Sequence, residues 1–168
     1  HEAGLGDTTQ SFFLSRRSGV PGLTWGLGPA VLWPTATRPT LQSRQWGLGP
    51  TGVLVQTLGP WTFGALANHL SGVADSASRQ GRPSLNQTFL QPFVSHNFSS
   101  GFALTATLEA SYEWTARQWT LPIGTGASQL VKIGEVPVNL VAQARYWLDG
   151  PRDAPQWGLR FNVVLVLR

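Results

Sequence analysis

The fold is decided by residues 102–114, which read Phe102-Ala-Leu-Thr-Ala-Thr-Leu-Glu-Ala-Ser-Tyr-Glu-Trp114. Every second residue of this stretch, beginning with Phe102, is apolar or aromatic, and polar residues fill most of the positions between them. Successive side chains on a β-strand point to opposite faces, so the alternation predicts a strand with one apolar and one polar face. Residues 137–148 and 157–168 alternate in the same way.

Breaks at clusters of Gly, Pro, Ser and Asp divide the chain into nine predicted strands. These strands cover residues 5–15, 23–34, 45–57, 61–72, 85–96, 102–114, 118–131, 137–148 and 157–168. Strands of soluble proteins are usually about 5 to 6 residues long, whereas a tilted strand that crosses a bilayer needs about 9 to 11. The lengths therefore predict an all-β fold in which residues 1–168 form one antiparallel transmembrane β-barrel domain.

The composition is consistent with this fold and excludes several others. Only 12% of the 168 residues are charged, and there are 19 Gly, 12 Pro, 8 Trp and no Cys. Disulfides, thiolate catalysis and cysteine metal sites are therefore excluded. No run approaches the 18 apolar residues of a membrane-spanning helix. The net charge of +4 is spread over scattered arginines, so it argues against nucleic acid as a partner.

The connections between predicted strands alternate in length. Those after the first, third, fifth and seventh strands are short, near residues 16–22, 58–60, 97–101 and 132–137. Those after the second, fourth and eighth strands are longer, at 35–44, 73–84 and 149–156, whereas the turn at 115–117 breaks the pattern. Outer-membrane barrels have short periplasmic turns and longer external loops, which is the same asymmetry.

Aromatic residues are predicted to form two bands at opposite strand ends. The ends near the long loops contain Trp33, Trp46, Trp114, Trp119, Trp147 and Trp157, and the opposite ends contain Trp25, Trp61, Phe98 and Phe102. Amphipathic rings accumulate at both interfaces of a membrane, so this banding favours a membrane barrel. The alternative is that large aromatics cap the core of a soluble barrel or sandwich, which predicts no banding.

Five polar side chains are candidates for a barrel lumen: Glu109, Glu113, Gln143, Arg145 and Arg160. All five lie on the predicted polar faces of the sixth, eighth and ninth strands. The seventh strand lies between them, and its inward residues Pro122, Gly124 and Gly126 are small enough to let long side chains meet. Charges of this kind either define a constriction that selects permeants or form an ion network that plugs a narrow barrel.

The sequence contains no convincing catalytic or metal site. Ser95 and His96 are neighbours on a strand, so their side chains point to opposite faces. His69 reaches Ser95 only if the fourth and fifth strands have a suitable register. His69 and His96 lack a clustered carboxylate and make a poor metal site. The more ordinary interpretation is that they are interfacial histidines near strand ends. We therefore predict no enzyme activity, no cofactor and no bound metal.

The predicted long-loop side is rich in arginine. Six arginines lie there, namely Arg38, Arg44, Arg79, Arg82, Arg117 and Arg152, among the acids Asp75, Asp149 and Asp153. The guanidinium fork matches phosphate, so membrane lipid and lipopolysaccharide are the predicted partners. For these arginines themselves, ordinary solvated loop charges are the slightly favoured interpretation.

Several blocks of sequence resemble one family of membrane proteins. They are Trp25–Pro34 followed by Thr35-Ala-Thr, then Gln45–Thr51, Gly59–Asn68, Asn86–Phe93 and Trp157–Phe161. These blocks are similar to the bacterial outer-membrane transporters of the phenol-degradation meta-pathway family, and the resemblance covers nearly the whole chain. It implies passage of small hydrophobic or aromatic compounds across the outer membrane. Family members have further strands before a segment corresponding to residues 4–10.

The predicted function is thus a passive outer-membrane channel or transporter for small apolar molecules. A soluble or surface-attached β-barrel that binds a ligand is the second interpretation, and an outer-membrane enzyme is the third. Single-chain bacterial barrels usually close with an even number of antiparallel strands. Because nine is odd, we expect an odd number of additional strands, or other copies of the chain, to complete the barrel.

Overall fold

The computed structural model describes residues 7–37, 45–73, 84–134, 136–150 and 156–165, and in these ranges the protein is all-β. The strands are β1 (Thr8–Ser11), β2 (Leu23–Trp33), β3 (Gly47–Leu58), β4 (Trp61–Gly72), β5 (Asn86–Asn97), β6 (Phe102–Leu108), β7 (Ala110–Glu113), β8 (Gln118–Thr120), β9 (Pro122–Ile133), β10 (Val136–Trp147) and β11 (Trp157–Leu165). None of the described segments is a helix long and apolar enough to cross a bilayer.

The strands form one antiparallel sheet in which neighbours in sequence are neighbours in space. The main path runs β1-β2-β3-β4-β5-β6-β9-β10-β11, with β7 paired to β5 and β8, and the sheet curls into a half-barrel. Within the described residues β1 pairs only with β2 and β11 only with β10. The two edges of the half-barrel are therefore open in this part of the chain.

The strands follow the nine predicted ones closely, with two interruptions. The sixth predicted strand is divided into β6 and β7 at Glu109, and the seventh into β8 and β9 at Leu121. The register does not change across the break, since Phe93 pairs with Thr107 and Leu90 with Ala110. On this register Pro92 lies opposite Leu108, and the carbonyl of Pro122 accepts a hydrogen bond from the amide of Glu109 at 2.9 Å. Proline has no N–H to donate, so both ladders lose bonds there.

The ends of the first and last predicted strands are only partly described. Beyond Ser11 the first strand continues as single contacts, in which Phe12 donates to the Pro29 carbonyl and Leu14 forms a bridge with Leu27. Residues 5, 6 and 166–168 lie outside the described ranges.

The two-residue turns lie at one end of the strands. The connections between β3 and β4 and between β9 and β10 are two residues long, and they contain Gly59 with φ of 57° and Gly134 with φ of 63°. Glycine adopts positive φ without steric cost, which permits these short connections. The connections at the other end of the strands are longer except at residues 114–117, as predicted. Within these connections, residues 38–44, 74–83 and 151–155 are not described.

One face of the sheet is apolar, and it is the exposed face. Leu104, Ala127, Ala142 and Phe161 are paired in a row across β6, β9, β10 and β11, so they share this face. Following the register over the whole sheet, no described strand residue on this face is Asp, Glu, Lys or Arg. Phe161 is 74% exposed, and Leu54 at the middle of β3 is 51% exposed.

The other face is polar, rich in glycine, and more buried. The row next to the apolar one consists of Thr105, Gly126, Gln143 and Arg160. Other buried side chains on this face include Ala30, Leu70 and Thr51, the last at 3% exposure. Side chains from distant strands meet on this side, as described below, which identifies it as the concave face of the half-barrel. The polarity is thus the reverse of that in a water-soluble sheet.

Candidate functional site

Glu109 is the centre of an ion cluster on the concave face. Its Oε1 accepts a hydrogen bond from Nη1 of Arg160 at 3.1 Å, and its Oε2 binds Nη2 of Arg145. The residue is only 7% exposed, and the charged side chains come from three different parts of the sheet. Paired and hydrogen-bonded in this way, the buried carboxylate keeps its charge compensated. The sequence correctly grouped these three residues.

The small residues of β9 make this cluster sterically feasible. Gly124 and Gly126 lie on the concave face between Glu109 on one side and the two arginines on the other. A Cβ on Gly124 would lie 2.8 Å from Nε2 of Gln143, and one on Gly126 would lie 3.1 Å from Cβ of Gln143. The side chain of Gln143 therefore covers β9 at the place where larger residues would separate the charges. This is the space that the sequence predicted.

Trp147 contacts the cluster, whereas the predicted lumen residue Glu113 does not. The guanidinium of Arg145 lies 5.1 Å from the ring centroid of Trp147, within the range of a cation–π contact. Trp147 is at the predicted strand end, but the register places it on the concave face, apart from the other tryptophans. Glu113 accepts a hydrogen bond from the amide of Thr115 at 3.3 Å, so it is directed to its own turn.

The half of the concave face formed by β2 to β5 has a different chemistry. Its glycines are Gly26, Gly28, Gly47, Gly49, Gly64 and Gly72. The ring of Phe93 lies over Gly64, since a Cβ there would be 2.5 Å from two ring carbons. Leu70 and Thr51, which are almost fully buried, share this surface. The result is an uncharged, glycine-rich surface on which the ring of Phe93 lies close to the backbone of the wall.

An aromatic band follows the long-loop end of the convex face. Trp33 and Trp46 have ring centroids 4.9 Å apart, and Tyr112 contacts Trp114 and Trp119 with centroids 4.9 and 4.7 Å away. The indole Nε1 of Trp114 donates a hydrogen bond to Oγ1 of Thr88 at 2.8 Å. Trp157, at the start of β11, lies at the same end. Tyr112 was not predicted to belong to this band, although its position on the apolar face of residues 102–114 indicates it.

A second aromatic band occupies the tight-turn end of the same face. His96 lies between Trp61 and Phe98, with ring centroids 4.6 Å from each, and Phe98 contacts Phe102 at 5.6 Å. Trp25 lies near the tight-turn end of β2. The sequence placed the other aromatics here and suggested an interfacial position for His96, but the contact itself depends on the pairing of His96 with Trp61.

The two bands are separated by a stretch without charge. Trp25 and Trp33 are eight residues apart on β2, or about 26 Å along a strand. Phe102 and Tyr112 are ten residues apart, or about 33 Å. Between the bands, the convex positions of the described strands are nearly all apolar, Thr125 being an exception. The convex face is therefore divided into aromatic, apolar and aromatic zones.

The structure does not bring together the residues that were considered for a catalytic site or a metal site. His69 pairs with Thr88, and its Nδ1 lies 2.9 Å from Oγ1 of that threonine on the convex face. Ser95 lies on the concave face and accepts a hydrogen bond from Thr105 at 2.9 Å. The register thus separates His69 from Ser95. Within the described ranges, no group of three or more His, Cys, Asp or Glu is suitable for holding a metal ion.

Of the charged residues predicted on the long-loop side, the structure describes only Arg117 and Asp149. Arg117 is exposed in the turn after β7, and Asp149 accepts a hydrogen bond from the amide of Gly150 at 2.8 Å. The remaining residues named for this side, Arg38, Arg44, Arg79, Arg82, Arg152, Asp75 and Asp153, lie outside the described residues. Lipopolysaccharide binding therefore stays a prediction.

Comparison with known proteins provides no relative for this chain. No protein-family model, curated protein or solved structure matches it. Evidence on function must therefore come from the two faces of the sheet.

Proposed function

We propose that the protein is a β-barrel of the bacterial outer membrane that lets small hydrophobic or aromatic compounds pass. The observation that carries this proposal is the reversed polarity of the sheet. The apolar, uncharged face is exposed and lies between two aromatic bands, while polar and charged side chains line the concave face. A bilayer satisfies such a convex face, because lipid contacts its apolar residues and the interfaces accommodate the aromatic bands.

The distance between the bands supports the membrane assignment. A strand tilt of about 40° reduces the 26 to 33 Å between band residues to about 20 to 26 Å along the membrane normal. The apolar zone of outer-membrane barrels is about 25 Å tall. In water, an exposed apolar surface extending over so many strands would drive association, since monomeric soluble proteins rarely expose patches beyond a few hundred Å².

In the described half-barrel, the ion cluster lies beside open space, which is an arrangement that a passage requires. The side chain of Arg160 is 38% exposed although it binds Glu109, so the cluster borders open space. The described sheet is a half-barrel, and its open edges need partners because unpaired amides in lipid cost several kcal/mol each. Strands in addition to the described ones, from this protein or from further copies, complete the wall in this proposal. The sequence blocks that resemble outer-membrane transporters agree with it.

Liposome swelling tests the proposal directly. The full chain is reconstituted into vesicles, which are then transferred into isosmotic solutions of neutral solutes of increasing size and apolarity. We expect protein-dependent swelling with small solutes and a sharp decrease with larger ones. Vesicles without protein are the control, and no difference between the two preparations would refute a passage.

Detergent dependence separates this function from a soluble ligand-binding barrel. A membrane barrel needs a micelle or bilayer around its convex face, so removing detergent from the folded protein should precipitate it. A folded, monodisperse protein in detergent-free buffer would favour the soluble alternative instead.

A further inference from the structure

Charge on the concave face is confined to one half of the sheet. The described strands β1 to β6 contain no Asp, Glu, Lys or Arg. Among the described residues, the charged ones on or between the remaining strands are Glu109, Glu113, Arg117, Lys132, Arg145, Asp149 and Arg160. The half of the wall formed by β2 to β5 is instead lined by glycine, small polar residues and apolar side chains. The concave face therefore consists of two parts. The uncharged wall is formed by β2 to β5, and the ionic wall is formed by the strands that contain the charged residues.

The ionic wall has an excess of positive charge at its most organised point. One carboxylate, that of Glu109, is shared by Arg145 and Arg160. Each guanidinium has five N–H donors and no acceptor, so donors remain after one oxygen of Glu109 is bound. With Arg160 partly exposed, the cluster presents a net positive charge and free donors to the concave space. A carboxylate or sulfonate is the ligand that this geometry favours.

The uncharged wall begins on the strand next to the cluster, where the register places Gln91 opposite Glu109. Phe93 pairs with Thr107 and Phe89 pairs with Ser111, so the two phenylalanines flank Glu109 on the adjacent strand and share its face. Diagonal neighbours across a sheet have Cβ atoms about 7 to 8 Å apart. The ring of Phe93 extends the other way, over Gly64 of β4. The concave face thus combines aromatic side chains on β5 with guanidinium groups at the cluster, which are the two chemistries that an aromatic anion requires.

We propose that the preferred permeants are small amphipathic anions, in which a compact apolar body carries one carboxylate or sulfonate. This inference rests on the proposed channel function and specifies its substrate class. The arginine pair attracts the anionic group, and the glycine-rich wall accommodates the hydrocarbon. Cationic amphiphiles of the same size are excluded because the excess charge repels them.

Reversal potentials in planar bilayers measure this selectivity without interference from diffusion through lipid. The full chain is reconstituted, and chloride is replaced on one side by benzenesulfonate or by methanesulfonate. In a separate measurement, sodium is replaced by benzyltrimethylammonium. All three probes keep their charge at any accessible pH. We expect benzenesulfonate to be the most permeant, ahead of methanesulfonate, and benzyltrimethylammonium to be the least permeant.

Charge variants locate the selectivity. Arg160→Gln should lower the permeability of benzenesulfonate relative to sodium by about three- to tenfold, the effect of one unit charge at close range in a partly hydrated site. Glu109→Gln should change the same ratio in the opposite direction, which a merely damaged barrel would not do. Arg16→Gln is the matched control, since Arg16 is exposed in the connection between β1 and β2 and lies on no strand.

A variant of the uncharged wall tests whether this wall contacts the hydrocarbon part of the permeant. Phe93→Leu should reduce the advantage of benzenesulfonate over methanesulfonate while leaving the preference for anions over cations unchanged. Suppose that Phe93→Leu also removed the preference for anions over cations. The two walls would then not act separately on the hydrocarbon and on the charge, which would contradict the inference.

The outcomes distinguish this inference from the channel function. Absence of any protein-dependent current or swelling refutes the channel itself. Currents with equal permeability for the sulfonates and the quaternary ammonium ion leave the channel intact but overturn the proposed substrate class. A preference for benzyltrimethylammonium overturns it as well.

Discussion

Arg160 binds Glu109 across two intervening strands, with 3.1 Å between Nη1 and Oε1. In a flat sheet, residues three strands apart are separated by about 14 Å. The curvature brings their side chains towards each other on the concave side, so the ion pair and the curl of the sheet depend on one another.

The first prediction concerns the contribution of this cluster to stability. Glu109→Gln leaves Arg145 and Arg160 close together without the carboxylate that both bind. We expect the free energy of unfolding to fall by about 1 to 3 kcal/mol, less than for a fully buried pair because Arg160 is partly exposed. Urea titration of the protein refolded in lipid vesicles measures the change.

Glu113→Gln is the control for that experiment, since this carboxylate bonds to its own turn. Its effect should remain within about 0.5 kcal/mol. Equal losses in the two variants would show that the cluster has no special role in holding the curved wall.

The second prediction separates lipid from water on the convex face. Leu140 lies near the middle of β10 with its side chain 43% exposed on the apolar face, and Asn139 points to the concave face. Leu140→Arg should cost about 2 to 4 kcal/mol in a bilayer, and Asn139→Arg much less. In a soluble protein, an arginine at an exposed leucine usually changes stability by about 0.5 kcal/mol or less, so tolerance of Leu140→Arg would contradict the membrane assignment.

The third prediction tests the glycine-lined wall. A Cβ at Gly49 would overlap the carbonyl oxygen of His69 on the neighbouring strand, which is backbone and cannot rotate away. Gly49→Ala should therefore destabilise the sheet by about 1 to 3 kcal/mol. Gly19→Ala serves as the control, because nothing lies within 4 Å of a Cβ at that position. Thermal unfolding that shifts equally in both variants would show that the close approach of β3 and β4 is unimportant.

The fourth prediction uses the positions of the tryptophans. Seven of the eight lie on the convex face near strand ends, and Trp147 lies on the concave face. Lipids brominated close to the headgroup should therefore quench tryptophan fluorescence more strongly than lipids brominated near the chain ends. Trp147→Phe should remove most of the fluorescence that resists quenching. Uniform quenching at all depths would argue against two interfacial bands.

The strands and their faces could be read from the sequence because the period of two fixes which way each side chain points. Glu109, Arg145 and Arg160 were grouped for the same reason, since each is a charge at a polar position of a predicted strand. The small residues Gly124 and Gly126 between them supplied the necessary space.

Other features depend on register and curvature, which the sequence pattern does not determine. The contact of His96 with Trp61 requires a particular pairing of β4 with β5, and so does the position of Phe93 over Gly64. The interruption at Glu109 arises from Pro92 and Pro122 on two different neighbouring strands. Each of these features combines residues from separate predicted strands, so no single stretch of sequence reveals it.

The reversed polarity of the two faces also bears on how such a chain travels before it folds. Its mean hydropathy is −0.05, close to neutral, because polar residues and glycines separate the apolar residues along most strands. An unfolded chain of this kind has no apolar segment long enough to be inserted into a membrane as a helix. Its alternating polar residues keep it solvated by water. Pairing of the strands then sorts the side chains onto opposite faces, so the membrane-seeking surface exists only in the folded protein. On the membrane assignment proposed above, delivery through an aqueous compartment and final insertion are separated by the act of folding itself.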